Sequence, residues 1–177
     1  ASGILSQVRE LSAVEDVTPE LRVQFADVSL NDLVGRVVEL HRGYAADHDV
    51  ALSYDLSPIP LVVRSDVQRL TQILNNLVRN AIEAAGGRSV TVGSGGGIFR
   101  EGREGAVLTV RDTGPGLPRE VLARLAEPKQ TTKGGEHAGL GLHIVHRMVA
   151  ELQGSLDVQT GPGQGTTFTV FLPLAPV

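Results

Sequence analysis

The sequence predicts an α/β fold, a two-layer sandwich in which a mixed, mostly antiparallel sheet of about five strands carries three helices on one face. Two observations predict it. Apolar residues recur at helical spacing in long segments, chiefly residues 66–85 and 139–153. Between the helical segments lie short runs that alternate between apolar and polar residues, and most of these are joined by turns rich in glycine or proline, which is typical of hairpins.

Composition limits the classes of protein that the chain can belong to. The 177 residues are 41% hydrophobic, which fits one full domain with a short appendage. The chain has no cysteine, which excludes a disulfide framework and a thiolate metal site. A net charge of −4 without any long basic run does not indicate a nucleic-acid surface. No apolar run approaches the ~20 residues that a membrane span requires, so we expect no membrane contact by this part of the chain.

The first part of the chain divides into an appendage and the start of the main domain. Residues 4–14 have helical apolar spacing and are followed by a polar stretch containing Thr18 and Pro19, so residues 1–27 are predicted to be separate from a domain at residues 28–177. The domain opens with a helix from the N-cap Ser29 to about residue 46. Residues 50–56 and 61–63 are predicted strands, with Pro58 and Pro60 turning the chain between them.

The segment of residues 66–85 is predicted to be a long amphipathic helix. Ser65 is the predicted N-cap, with Gln68 closing a capping box, and Gly86 is the predicted left-handed stop. Its apolar flank is predicted to be core and comprises Val67, Leu70, Leu74, Leu77, Ala81 and Ala84. On the opposite flank Asn76 and Asn80 are one turn apart, so their side-chain oxygens can converge on one small charged object. In isolation, such a polar stripe is more typical of a solvated surface.

Two glycine-containing motifs follow the predicted helix of residues 66–85. Residues 89–92 and 106–111 are predicted strands, and the glycine-rich residues 93–105 between them are predicted to be a flexible hairpin tip rather than a phosphate loop, because they lack Gly-Lys-Ser/Thr. The second strand runs into Asp112-Thr-Gly-Pro-Gly, a carboxylate followed by a glycine turn. Taken alone, this motif favours a turn-forming aspartate over a binding residue.

The last third of the chain supplies the second glycine motif. A short helix is predicted at residues 118–125, followed by a polar segment, residues 127–138, predicted to be a mobile lid. Gly139-Leu140-Gly141 opens a helix predicted to end before Gly154, and backbone amides uncovered by side chains at a helix start attract phosphate. Residues 156–158 and 166–172 are predicted to form a closing hairpin.

Paired asparagines on a helix, a strand ending in DxGxG and a helix opening with GLGL occur in this order over nearly the whole chain. This arrangement resembles the ATP-binding catalytic domain of sensor histidine kinases of the nitrogen-regulation type, whose wider relatives are DNA gyrase B, the large heat-shock chaperone ATPase and the mismatch-repair ATPase. The resemblance implies a Bergerat-type fold that binds ATP and Mg²⁺. It also implies that residues 1–27 are the end of a dimerisation helix and a linker.

The resemblance assigns a role to each motif. Asp112 would accept a hydrogen bond from the adenine amino group, and Gly114 and Gly116 would let the backbone pass close to the base. Asn80 would be the magnesium ligand. Asn76 stands where the ATP-hydrolysing relatives have a glutamate that activates water, and an amide cannot accept that proton, so hydrolysis should be slow.

The remaining nucleotide-binding candidates are expected at the phosphates. They are Arg79, Thr131, Thr132, Lys133, Gly139, Leu140, Gly141 and Thr166. Two of them have ordinary alternatives: Arg79 can form an ion pair with Glu83 four residues on, and Lys133 can be an exposed loop lysine. The lid departs from the family pattern, since Lys129 and Gln130 stand where aromatic residues are usual.

The predicted activity is transfer of the γ-phosphoryl group of ATP to a histidine on a dimerisation domain that this chain lacks. His48-Asp49 imitates the acceptor dipeptide but lies within the ATP domain, so His48 is interpreted as a surface residue. A response regulator downstream, a homodimeric full-length protein and a cytoplasmic location would follow from the resemblance. The alternatives are a gyrase-like hydrolytic ATPase, which Asn76 opposes, and a degenerate nucleotide-binding module that only docks on a partner.

Overall fold

The computed structural model describes residues 22–126 and 138–176. The predicted helix at residues 4–14 and the lid, with Thr131, Thr132 and Lys133, therefore lie outside the described residues. The elements in chain order are β1 (Ala26–Ser29), α1 (Leu30–Asp47), β2 (Ala51–Asp55), β3 (Val62–Ser65), α2 (Val67–Ala85), β4 (Ser89–Arg100), β5 (Arg103–Asp112), α3 (Arg119–Ala126), α4 (Ala138–Glu151), β6 (Ser155–Gly161) and β7 (Gly165–Pro173).

The principal sheet has five strands in the order β2-β4-β5-β7-β6. Only β2 and β4 are parallel, and the other three pairs are antiparallel. A second, two-stranded antiparallel sheet of β1 and β3 lies beside it. The long helices α1 and α2 pack on one face of the principal sheet, as does α4, and α3 packs on α4. The predicted two-layer α/β fold with a mixed sheet is confirmed.

The apolar core fills the space between the helices and that face of the sheet. Buried side chains of α2 include Leu70, Leu74 and Leu77, which the apolar spacing predicted. Val67 and Ala84, also predicted as core, are exposed. Four further residues of α2 that were not predicted as core are also buried, namely Ile73, Val78, Ile82 and Ala85. The core-facing stripe of α2 is therefore wider than predicted and leaves Ala84 free to face a cavity.

The N-cap of α2 is Asp66, so the prediction of Ser65 with a capping box is wrong. Asp66 Oδ1 accepts hydrogen bonds from the backbone N–H groups of Gln68 and Arg69, at 3.0 and 3.1 Å. Ser65 is the last residue of β3 and pairs with β1, which buries its side chain one residue too early to cap the helix. The predicted stop is confirmed, because Gly86 is left-handed with φ +56°.

The glycine-rich stretch is strand rather than a flexible tip, which corrects the prediction for residues 93–105. β4 runs on to Arg100, with an irregularity in register between Gly95 and Ile98, and only two residues separate it from β5. The close packing of the neighbouring strand explains the glycine at 93, where a Cβ would lie 2.5 Å from the Thr109 hydroxyl oxygen. Gly93 is required because the neighbouring strand leaves no room for a side chain, and it does not indicate a flexible loop.

The helix that opens with the GLGL motif begins one residue earlier and ends earlier than predicted, at Ala138 and Glu151. Beyond its end, Gln153 adopts the left-handed conformation with φ +61°, and the Gly154 N–H donates to the Val149 carbonyl at 3.0 Å. No helix among the described residues has the length and apolar character to cross a membrane.

Candidate nucleotide-binding site

A cavity of about 270 Å³ lies where α2, the turn after β5, the start of α3, α4 and β7 meet. Most of its wall is apolar, with a few polar groups, which is the usual build of a small-molecule site. The lining residues are Asn80, Ala81, Glu83, Ala84, Asp112, Leu117, Pro118, Val121, Leu142, Thr166 and Phe168. Three predicted site residues, Asn80, Asp112 and Thr166, are thus brought to one cavity from three separate parts of the chain.

Asp112 is the most deeply buried carboxylate of this cavity, with 3% of its surface exposed. Burial raises the pKa of the Asp112 carboxyl above its usual value, although the backbone N–H groups of Gly114 and Thr166 donate hydrogen bonds to it and act in the opposite direction. The Gly114 bond, 2.9 Å to Oδ1, closes the turn that the sequence left open as an alternative role. The same carboxylate therefore shapes the turn and lines the cavity.

The glycines of the DxGxG turn are required by the close approach of neighbouring backbone. A Cβ on Gly114 would lie 2.5 Å from the Ala84 carbonyl oxygen of α2. Gly116 has φ +88°, and a Cβ there would meet the Gly161 carbonyl of β6. The turn is held between the end of α2 and the β6–β7 hairpin, which fixes Asp112 in the cavity.

Asn80 lines the cavity one helical turn before Ala84, whose carbonyl contacts the DxGxG turn, and it lies next to the first turns of α4. A Cβ built on Gly141 would be 3.6 Å from the Asn80 side-chain nitrogen, so the two helices meet at these residues. Gly139 and Leu140 belong to the first turn of α4, where backbone N–H groups lack carbonyl partners within the helix. Asn76, one turn before Asn80, is half-buried and does not line the cavity.

Arg79 forms the ion pair with Glu83 that the sequence offered as the alternative to a phosphate contact. Its Nε lies 3.3 Å from Glu83 Oε1, and its guanidinium carbon lies 5.1 Å from the centre of the Tyr44 ring. The Tyr44 hydroxyl donates to the same Glu83 oxygen at 2.6 Å. Hydrogen bonding to Glu83 raises the pKa of both Tyr44 and Arg79. These contacts hold Arg79 at the edge of the site, outside the cavity lining.

Thr166 is buried and lies directly opposite Asp112 in the β5–β7 register. Its hydroxyl is 3.0 Å from the hydroxyl of Thr160, which also accepts a hydrogen bond from the Leu117 N–H. The Thr166 side chain is therefore tied into a hydroxyl network that also holds the start of the segment leading to α3.

Sequence reasoning missed the apolar walls and one charged group of the cavity. Phe168 was open to prediction, since it shares a strand face with Thr166 two residues earlier. Leu117 and Val121 come from an irregular segment and a short helix, where no periodicity marks them as lining residues. Glu83 was considered as an ion-pair partner of Arg79 and not as a site residue, although it lines the cavity.

Comparison with known proteins identifies the family of the chain. The family model for histidine kinase-, DNA gyrase B-, and HSP90-like ATPases matches residues 65–176. The sensor histidine kinase ZraS of Escherichia coli K12 is 31% identical over 94% of this chain, and that of Klebsiella oxytoca is 30% identical over 94%. In both cases the match covers 35% of the relative, so the chain spans about a third of the length of these curated relatives.

Solved structures give the same answer for the fold. A nucleotide-free catalytic domain of the histidine kinase ThkA superposes with a TM-score of 0.71 at 27% identity, over 87% of this chain and 99% of that domain. Full-length ShkA in complex with AMPPNP superposes with a TM-score of 0.71 at 28% identity, over 98% of this chain and 37% of ShkA.

The fold, the cavity and the family match together define the class of protein. The chain belongs to the family of histidine kinase-, DNA gyrase B- and HSP90-like ATPases. Within that family it is similar to the ATP-binding catalytic domains of sensor histidine kinases, in sequence and in fold. The gyrase-like and degenerate alternatives are not favoured by these relatives.

Proposed function

We propose that this chain binds Mg·ATP in the cavity between α2 and the DxGxG turn and acts as the catalytic domain of a sensor histidine kinase. The single observation that carries the proposal is the meeting of Asp112, Asn80 and the start of α4 at one cavity. Each of the three presents a different chemistry, and together they match the base, the cation and the phosphates of a nucleotide.

The base end of the proposed site is at Asp112. An ionised carboxylate only accepts hydrogen bonds, and the adenine amino group is a donor. Guanine places a carbonyl oxygen at the same position, so two acceptors would face one another in a largely apolar cavity. An unsatisfied buried polar group costs about 1–3 kcal/mol, which is enough for strong preference for adenine.

The cation end is at Asn80. Mg²⁺ keeps several waters and is held by one or two protein oxygens plus the phosphates of the substrate, so one neutral amide is a sufficient protein contribution. Asn80 lies beside Gly141, which brings its amide to the same place as the start of α4. When bound, the ion would offset the negative charge of the β- and γ-phosphates.

The phosphate end is the start of α4. Its first backbone N–H groups, including those of Gly139 and Leu140, would bind phosphate oxygens, and the helix dipole favours their negative charge. Thr131, Thr132 and Lys133 precede this helix start in the chain, and we assign them to the same phosphates. Arg79 remains a candidate here, provided that it leaves its ion pair with Glu83.

The transfer step needs no nucleophile from this chain. A histidine nitrogen on a dimerisation domain attacks the γ-phosphorus, the new N–P bond forms, and the bond from that phosphorus to the β–γ bridging oxygen breaks to release ADP. Catalysis then consists of positioning and charge neutralisation. Asn76 stands where the hydrolytic relatives have a base, so water competes poorly for the phosphoryl group.

The partners follow from this role. We infer that the phosphoacceptor domain belongs to the same kinase, that the complete kinase is a homodimer, and that a response regulator receives the phosphoryl group in the cytoplasm. The two ZraS sensor histidine kinases similar to this chain are about three times its length, which leaves room for such domains.

The test is a radiolabel transfer assay with [γ-³²P]ATP and Mg²⁺. The chain alone should bind ATP but release little free phosphate. Joined to its phosphoacceptor domain, it should yield protein-bound label that is acid-labile, as expected for phosphohistidine. Sustained phosphate release by the chain alone would favour the hydrolytic alternative, and failure to bind ATP would favour a degenerate docking module.

A further inference from the structure

Glu83 occupies a position on the cavity wall that the proposed function leaves without a role. It lies on α2 between Asn80, which meets α4, and Ala84, whose carbonyl lies against the DxGxG turn. Four residues of helix rise about 6 Å, so these two residues mark the two ends of a short path along the cavity. If the cation binds at Asn80 and the base at Asp112, the sugar must lie between them, beside Glu83.

The Glu83 carboxylate is held in place through one of its two oxygens. Oε1 accepts the Tyr44 hydroxyl at 2.6 Å and the Arg79 Nε at 3.3 Å. Oε2 receives no hydrogen bond from any residue within 22–126 or 138–176. One oxygen is therefore anchored, while the other is an acceptor available to a ligand.

The chemistry of a carboxylate decides which part of a nucleotide it can serve. It repels phosphate, and it accepts hydrogen bonds without donating any. The donors of ATP are the adenine amino group, which the proposed function assigns to Asp112, and the hydroxyls of the ribose. Acidic residues bind the ribose 2′-hydroxyl in other nucleotide sites. Arg79 offsets the negative charge of Glu83 near the triphosphate.

We propose that Glu83 accepts a hydrogen bond from the 2′-hydroxyl of the ribose, so that this residue selects ribonucleotides over 2′-deoxyribonucleotides. The inference rests on the proposed function, since it requires ATP in this cavity. Tyr44 is then a positioning residue that acts through Glu83, although it belongs to α1 and does not line the cavity.

The test compares the dissociation constants of ATP and 2′-deoxyATP, both with Mg²⁺, by titration calorimetry. The wild-type chain should bind 2′-deoxyATP about three- to tenfold more weakly than ATP, the size of one partly exposed hydrogen bond. Glu83→Ala should weaken the binding of ATP by the same factor and leave the binding of 2′-deoxyATP unchanged. The ratio of the two dissociation constants should then fall to about one. Glu83→Gln keeps a carbonyl acceptor and should retain part of the preference.

Two control variants separate this role from a general effect on α1 and α2. Glu39→Ala removes a carboxylate from α1 whose partner is Arg42, outside the cavity, and should leave the ATP to 2′-deoxyATP ratio at its wild-type value. Tyr44→Phe removes the hydroxyl that anchors Glu83 and should lower the ratio while thermal unfolding still shows a folded domain.

Different results would overturn the role of Glu83 and the proposed ATP site. Equal affinities of wild type for ATP and 2′-deoxyATP, or an unchanged ratio in Glu83→Ala, would overturn the role of Glu83 and leave the ATP site intact. Failure of the wild-type chain to bind either nucleotide would contradict the proposed function, and this inference with it.

Discussion

Asp112 at the end of β5 lies directly opposite Thr166 on β7, and the Thr166 backbone N–H donates a hydrogen bond to the Asp112 carboxylate. A second backbone donor, from Gly114, comes from the turn that follows. The carboxylate is thus fixed by main chain on two sides while it lines a cavity with apolar walls. This fixed acceptor is the centre of the proposed adenine site.

Asp112→Asn should weaken ATP binding by more than about tenfold, because the new amide N–H group would face the adenine amino group, donor against donor. The asparagine oxygen can still accept from Gly114, so the turn should remain. Titration calorimetry with Mg·ATP measures the loss, and a wild-type affinity in the variant would contradict the adenine role.

The same variant tests the charge state of Asp112 in the unliganded chain. The pKa of the Asp112 carboxyl is raised in the folded chain, so its ionisation destabilises the folded state. This destabilisation is absent below the unfolded pKa of about 3.9 and is complete once the pH has risen through the folded pKa. Asp112→Asn removes this destabilisation. The free energy of unfolding of the variant minus that of wild type, measured by urea unfolding, should therefore be larger at pH 7 than at pH 3.5. A relative stability that falls between pH 3.5 and pH 7 would contradict the raised pKa.

Gly114→Ala should lower the free energy of unfolding by about 1–3 kcal/mol, since the new methyl group would lie 2.5 Å from the Ala84 carbonyl oxygen. The matched control is Gly35→Ala in α1, where nothing lies within 4 Å of the added Cβ. That change should stabilise the chain by about 0.5–1 kcal/mol through helix propensity. Urea unfolding of both variants gives the comparison, and equal effects would mean that the turn is looser than described.

Asn80→Ala should reduce the Mg²⁺-dependent part of ATP binding by at least about tenfold and leave binding in EDTA nearly unchanged. This is expected because the Asn80 side-chain amide would bind the Mg²⁺ ion and would not contact the base. Gln72→Ala, an exposed amide two turns earlier on α2, serves as the control and should behave as wild type. Equal loss with and without Mg²⁺ would assign Asn80 to the nucleotide itself.

Asp66→Ala should destabilise the chain by about 2 kcal/mol, and Asp66→Asn by less, because asparagine is also a good N-cap. Burial raises the pKa of Asp66, but hydrogen bonds from the backbone N–H groups of Gln24, Arg69 and Gln68, with the charge of Arg69, outweigh it and hold the pKa below its usual value. This stabilisation is present above the unfolded pKa and is lost as pH falls through the folded pKa.

The Asp66 prediction is checked by urea unfolding at pH 7 and near pH 2.5. The difference between wild type and Asp66→Ala should shrink at the lower pH, where the wild-type carboxyl becomes protonated. A variant as stable as wild type at pH 7 would show that the cap contributes nothing.

The parts of the site that are local in sequence were predictable. Asp112 at a strand end and Gly86 at a helix stop are each decided by neighbours within a few residues, and the structure places both as expected. The cap of α2 was predicted one residue early because Ser65 and Asp66 are both good caps. The choice between them depends on the pairing of β3 with distant β1.

Features that depend on tertiary contact were not predictable. The glycines after residue 92 are typical of a loop, and only the pairing with β5 shows that they belong to β4. A Cβ on Gly93 would contact Thr109, and one on Gly95 would contact Val107. Likewise, Tyr44 and Glu83 are 39 residues apart, and no periodicity joins a residue of α1 to one of α2. Arg79 had two possible partners by sequence, and the position of Tyr44 beside Glu83 favours the ion pair.

The most direct test of the account is a calorimetric titration of the wild-type chain with ATP and, separately, with GTP, both with Mg²⁺. The account predicts saturable binding of one ATP per chain and GTP binding that is about 5- to 150-fold weaker, because Asp112 is an acceptor that matches the amino group of adenine and faces the carbonyl oxygen of guanine. Equal binding of both nucleotides, or no saturable heat with ATP, would contradict the claim that Asp112, Asn80 and the start of α4 form one adenine nucleotide site.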